Sequence, residues 1–126
     1  MTPAPLLLLV DDDPAVRASL IFSLELEGFE VEAFDSGEAL AAYACLADPA
    51  CVVIDYRLPG IDGLSLLRVL RERGKTCPAV IITSNPTRSV RQRTADADAE
   101  LIEKPLLNDG LTVAIRRLID RSKRPD

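Results

Sequence analysis

Apolar and polar positions along this chain fall into two alternating textures. Short apolar-rich runs (Leu6 to Val10, Val31 to Phe34, Cys51 to Ile54, Ala79 to Thr83 and Leu101 to Glu103) are separated by longer stretches whose apolar residues recur every three or four positions. The first texture predicts strands and the second predicts helices. Their regular alternation predicts strands joined by crossover helices, hence an α/β fold built on a mostly parallel sheet. The first, third and fourth runs are nearly all apolar, which predicts strands covered on both faces at the centre of that sheet.

Five helices fit between and after the runs. Val16, Leu20 and Leu24 recur at four-residue spacing after Asp13-Pro14, and Gly28 supplies a stop. Gly37 to Ala47 follows Ser36 as a cap, and Leu64, Leu67 and Leu70 mark a third helix ending near Gly74. A fourth, over Thr87 to Ala97, is rich in Arg and Asp and has Val90 as its single large apolar residue. Leu111, Ile115, Leu118 and Ile119 mark the last. No repeat or low-complexity segment interrupts the series, so residues 1–126 are expected to form one domain, with a core over residues 5–121 and a short tail over 122–126.

Composition narrows the chemistry. Fifteen basic and twenty acidic residues give a net charge of −5, and no basic stripe with interleaved aromatics follows the chain, so direct binding to nucleic acid is not expected. The apolar run from Leu6 ends at Val10 and no basic segment precedes it; neither a signal segment nor a membrane span is expected, and the chain is read as cytoplasmic. Cys45, Cys51 and Cys77 have no metal-binding spacing and are expected to be buried free thiols. There is no histidine, which excludes Ser-His-Asp and Cys-His sites. Any chemistry must come from carboxylates, hydroxyls and lysine.

Those groups are not scattered. Asp11, Asp12 and Asp13 follow the first run, Asp55 closes the third, Thr83 closes the fourth and Lys104 follows the fifth. Parallel strands would gather them on one rim, at the carboxyl ends where open sheets bind ligands. Taken singly, each has an ordinary explanation: Asp13 before Pro14 is a helix cap, Asp11 and Asp12 are loop acids, Asp55 starts a turn, Thr83 ends a strand and Lys104 is solvated. Together they are harder to explain that way. Two like charges about 4 Å apart cost about 4 kcal/mol at an effective dielectric near 20, so clustered acids need a cation or must protonate. A hard, oxygen-seeking ion such as Mg2+, with Lys104 beside it, suits phosphoryl transfer to a carboxylate, and Asp55 is the natural nucleophile. Thr83 offers a hydroxyl to a phosphate oxygen and is a candidate sensor.

Four segments then carry a family resemblance: Val10-Asp11-Asp12-Asp13, Val53-Ile54-Asp55-Tyr56-Arg57-Leu58-Pro59-Gly60-Ile61-Asp62-Gly63, Ile81-Ile82-Thr83-Ser84 and Ile102-Glu103-Lys104-Pro105. In these the chain resembles the receiver domains of two-component response regulators, especially those of nitrogen-fixation and LuxR-type regulators. The resemblance implies a flavodoxin-like, doubly wound five-stranded parallel sheet of order 2-1-3-4-5 with helices on both faces. It implies Asp55 as phosphoacceptor, with Asp12 a direct Mg2+ ligand, Asp11 a ligand through water, and the Asp55 carboxylate and the Arg57 backbone carbonyl further ligands. Thr83, the Ser84 backbone amide and Lys104 would hold the phosphoryl oxygens, and a cis Lys104-Pro105 peptide would aim the lysine. The implied donor is a phosphohistidine on a sensor histidine kinase or phosphotransfer protein. The implied targets are a downstream protein, a fused output domain or a second copy, met through the fourth helix, fifth strand and last helix.

Departures from the family pattern bear on the switch. Leu101 and Leu106 stand where receivers carry aromatics, and Asp98 stands where glycine commonly ends the fourth helix, a place that calls for a left-handed backbone. Arg57 and Asn85 occupy positions that tune dephosphorylation in relatives. A receiver fold kept only as a constitutive docking module is one alternative. Another is a small aspartyl-phosphate phosphatase of the haloacid dehalogenase type, but that chemistry wants a second Asp two residues after the first, where this chain has Arg57. A flavin carrier would need a hydroxyl-rich phosphate loop where Asp11 to Asp13 stand.

Overall fold

The computed structural model describes residues 3–106 and 109–123. Five strands alternate with five helices: β1 (Leu6–Val10), α1 (Pro14–Leu26), β2 (Glu30–Phe34), α2 (Gly37–Ala44), β3 (Cys51–Asp55), α3 (Gly63–Glu72), β4 (Ala79–Thr83), α4 (Arg88–Asp96), β5 (Glu100–Glu103) and α5 (Gly110–Lys123). All pairings are parallel and the strand order is β2-β1-β3-β4-β5, the doubly wound order that the resemblance implied.

The apolar runs occupy the centre because both of their faces are covered. Leu8 and Val10 of β1, Val52 and Ile54 of β3 and Ala79 and Ile81 of β4 point into one core, against Leu40 of α2, Leu67 and Leu70 of α3 and Val90 of α4. Their neighbours Leu7, Leu9, Val53, Val80 and Ile82 point the other way, against Leu20 and Leu24 of α1 and Ile115 and Ile119 of α5. Each fully buried leucine or isoleucine contributes about 1.5–3 kcal/mol relative to exposure. The edge strands β2 and β5 have only half-buried or exposed positions, which is why their runs mix Glu with apolar residues.

Caps fix the helix starts. Asp13 Oδ1 accepts from the backbone N–H groups of Ala15 (2.9 Å) and Val16 (3.3 Å), with Pro14 at the first helical position. Ser36, Asp62 and Thr87 cap α2, α3 and α4 in the same manner. Three expectations need correction. Helix α2 ends at Ala44 rather than Ala47, because the Leu46 N–H turns to the Tyr43 carbonyl at 2.9 Å, a tighter three-residue bond that closes the ladder before Pro49. Helix α5 continues through Ser122 and Lys123, two residues into the expected tail, whose remaining residues, 124–126, lie outside the described residues. Cys45 is exposed at the end of α2, whereas Cys51 is buried and Cys77 half-buried. No described helix is long and apolar enough to cross a membrane.

Candidate functional site

Strand register brings the polar residues together. Val10 pairs with Ile54, so Asp11 and Asp55 each step off neighbouring strands at the same level. Asp55 pairs with Ile82, and Thr83 with Glu103, which sets Thr83 and Lys104 on the same rim. Carboxylate oxygens of Asp11, Asp12 and Asp55 lie within 4.8 Å of one another. The Lys104 ammonium stands 3.4 Å from Asp55 Oδ2 and 3.6 Å from Asp11 Oδ2. Its peptide to Pro105 is cis.

Burial makes this cluster electrostatically demanding. Asp11, Asp55 and Thr83 are all but closed to solvent, Lys104 is partly open and Asp12 is exposed. Asp11 Oδ1 accepts from the Asp13 N–H at 2.9 Å, whereas its buried Oδ2 has no hydrogen-bond donor and meets only the lysine charge. Burial first, and then the neighbouring Asp11 carboxylate, push the Asp55 pKa above the ordinary aspartate range, against the pull of Lys104 and of the Arg57 N–H, which lies 3.3 Å from Asp55 Oδ1. A buried oxygen without a donor, in an all-carboxylate set of this spacing, suits a hard divalent cation such as Mg2+.

The surrounding elements hold these groups in place. Gly63 opens α3 directly behind Asp55; its N–H donates to the Tyr56 carbonyl at 2.8 Å, and a Cβ there would come within 2.6 Å of the Asp55 carbonyl oxygen. Thr83 Oγ1 donates to the Ser84 carbonyl at 3.4 Å, a long contact that leaves the hydroxyl free to turn. Asn85, two residues on, takes a positive φ of 46°, and Asp98 takes 57°, the left-handed turn expected where glycine is missing. Leu101 and Leu106 are half-buried, each packed against one of the two cores.

Sequence reasoning missed two arginines. Arg17 Nη1 donates to the Asp11 carbonyl at 2.7 Å, and Arg93 of α4 reaches the Tyr56 hydroxyl (3.4 Å) and the Asp62 carboxylate (3.8 Å). Arg17 follows Asp11 by six residues at the start of a helix, a local signal that was open to reading; Arg93 and Tyr56 are thirty-seven residues apart, and nothing local marks them.

Comparison with known proteins agrees with this geometry. The family model "Response regulator receiver domain" matches residues 7–116. The C4-dicarboxylate transport transcriptional regulatory protein DctD of Pseudomonas aeruginosa is 36% identical over 114 residues, 90% of this chain and 25% of DctD. Response regulator MprA of Mycobacterium tuberculosis is 38% identical over 122 residues, 95% of this chain and 53% of MprA. The chain thus spans about a quarter to a half of the length of these curated relatives. Among solved structures, FixJ-N superposes with a TM-score of 0.85 at 29% identity over 100% of both chains. A CheY-like response regulator receiver domain protein from Methanospirillum hungatei JF-1 gives 0.87 at 25% identity, over 95% of this chain and 97% of that one. With buried acids, a threonine and a lysine converging on the rim of a 2-1-3-4-5 sheet, and the family pattern running from Leu7 to Arg116, the chain belongs to the response regulator receiver domains.

Proposed function

We propose that Asp55 accepts a phosphoryl group and that its modification switches the partner-binding surface of a phosphorelay protein. The observation that carries this reading is the Lys104 ammonium bridging the Asp55 and Asp11 carboxylates at 3.4 and 3.6 Å. An Asp55 carboxylate oxygen attacks phosphorus in line, a P–O bond forms, and the P–N bond of a phosphohistidine breaks, its electron pair and a proton staying on the imidazole. This chain has no histidine, so the donor is a sensor histidine kinase or a phosphotransfer protein. Water later cleaves the acyl phosphate, releasing inorganic phosphate and restoring the carboxylate.

Asp12, Asp55 and the Arg57 carbonyl would hold Mg2+ directly, and Asp11 through water. When bound, the ion supplies positive charge to the oxygens of the transferring group. Lys104 adds a second cation, and the Thr83 hydroxyl and Ser84 amide donate to the remaining oxygens. Drawing Thr83 toward a phosphoryl oxygen gives up its long contact to the Ser84 carbonyl, a change at the end of β4 that leads into α4. The receiver is a cytoplasmic signalling domain of residues 1–126 rather than a turnover enzyme. Its α4, β5 and α5 face meets a downstream protein, a fused output domain or a second copy.

Incubation with Mg2+ and acetyl phosphate followed by intact mass tests the reading. Wild type is expected to gain one phosphoryl group and Asp55→Asn none, with beryllofluoride as the control for rapid hydrolysis. No response to either reagent would leave the constitutive docking module as the better account.

A further inference from the structure

Arg17 is out of place by the rules of its own helix. It sits in the first turn of α1, where the helix dipole disfavours a cation, and no acidic side chain pairs with it among the described residues. What holds its half-buried guanidinium is the backbone carbonyl of Asp11, 2.7 Å from Nη1. The helix therefore does not account for the residue; the Asp11 turn does.

That turn is anchored at every point but one. The Asp11 N–H donates to the Phe34 carbonyl at 3.3 Å, Asp11 Oδ1 accepts from the Asp13 N–H at 2.9 Å, and Asp13 caps α1. The exposed Asp12 carboxylate has no hydrogen bond or ion pair of its own among the described residues, yet an oxygen of it lies within 4.8 Å of both Asp11 and Asp55. Its approach to the shared centre is set by the peptide that joins it to Asp11, and Arg17 is the side chain that grips this peptide.

We infer that Arg17 is a positioning residue of the cation site: by holding the Asp11 carbonyl it orients the Asp11–Asp12 peptide, and with it the carboxylate of Asp12. The inference rests on the reading of Asp11, Asp12 and Asp55 as a divalent-cation site. It has a sign that electrostatics alone would reverse. Removing a positive charge from the turn that carries Asp11 and Asp12 should, by charge alone, tighten cation binding; removing a support that aims a ligand should weaken it, commonly by tenfold or more.

The test is Mn2+ binding to the whole chain, read from the free-ion electron paramagnetic resonance signal. Wild type is expected to bind one ion and Asp12→Asn to lose it; a wild type that binds none overturns the site reading and this inference together. With wild-type binding established, Arg17→Met is expected to raise the dissociation constant about tenfold. Arg17→Lys, which keeps a donor and the charge, should recover most of that loss. An Arg17→Met protein that is folded in EDTA and binds Mn2+ as tightly as wild type, or more tightly, overturns the inference while leaving the site reading intact. Should Arg17→Met not fold, Arg17→Ala, which likewise has no donor, carries the same expectation and the same overturning result.

Discussion

A Cβ on Gly63 would lie 2.6 Å from the carbonyl oxygen of Asp55, closer than real side chains approach a backbone atom. The same Cβ would come within 2.9 Å of the Tyr56 Cα, so relief requires backbone movement of the strand end that bears the proposed phosphoacceptor. Gly63→Ala is expected to cost about 1–3 kcal/mol, the range for overpacking. It should also slow labelling by acetyl phosphate at saturating Mg2+. Urea unfolding followed by circular dichroism, together with intact mass, checks both; a wild-type rate in a folded variant would show that Asp55 tolerates the displacement.

Asp55 is held at a proton affinity above that of a free aspartate, mainly by burial and then by Asp11. A carboxyl whose folded pKa exceeds its unfolded value lends stability that is full below the unfolded value of about 3.9 and is lost as pH rises through the folded one. The metal-free protein at neutral pH therefore carries a charged group it would rather neutralise. Asp55→Asn should unfold at higher urea than wild type at pH 7 in EDTA. That advantage should fade toward pH 4 and, on the proposed reading of the site as one for Mg2+, shrink when the ion is added.

Lys104 is the cation beside two carboxylates that are almost fully buried. Lys104→Met removes it and leaves their charges opposed, at a cost of about 1–3 kcal/mol in EDTA. Added Mg2+ should restore more stability to this variant than to wild type. Equal Mg2+ responses in thermal melts would mean that the lysine is not compensating the acids.

Asp98 ends the α4 region in a left-handed conformation, φ 57°, with its N–H donating to the Ala95 carbonyl at 3.0 Å. Glycine adopts this backbone without the side-chain penalty, although it gives the unfolded chain more freedom. Asp98→Gly is expected to stabilise by about 0.5 kcal/mol and Asp98→Ala to destabilise by about 1 kcal/mol. Paired urea curves decide it: the two substitutions should move the midpoint in opposite directions.

Thiol reactivity should follow burial. Burial raises the Cys51 pKa to about 12 and pushes Cys77 upward as well, while Cys45 is exposed. Iodoacetamide at pH 8 is expected to give one fast adduct at Cys45, a slow one at Cys77 and none at Cys51 until the protein is unfolded. Peptide mapping after timed quenching reads the order.

Much of the fold was legible because local pattern carries local information. An all-apolar run such as Leu6–Val10 must be covered on both faces, and Asp13-Pro14, Ser36 and Thr87 mark helix starts through their own short-range hydrogen bonds, whereas the Asp62 cap of α3 emerged only with the structure. The position of Asp11, Asp55, Thr83 and Lys104 at strand ends followed from the same runs. The identity of the family came from the residues around them.

Short-range pattern was thus enough to tell which segments are strands and helices, which strands are central and which polar residues stand at one end of the sheet. Only the packing of whole elements set the register that brings Asp11 beside Asp55, the burial that with this closeness raises the Asp55 proton affinity, the grip of Arg93 on Tyr56 and the contact that forbids a side chain at Gly63. Periodicity reports which way a residue faces within its own element. Distances between elements remote in sequence depend on how whole faces pack, and no short stretch of chain encodes that sum.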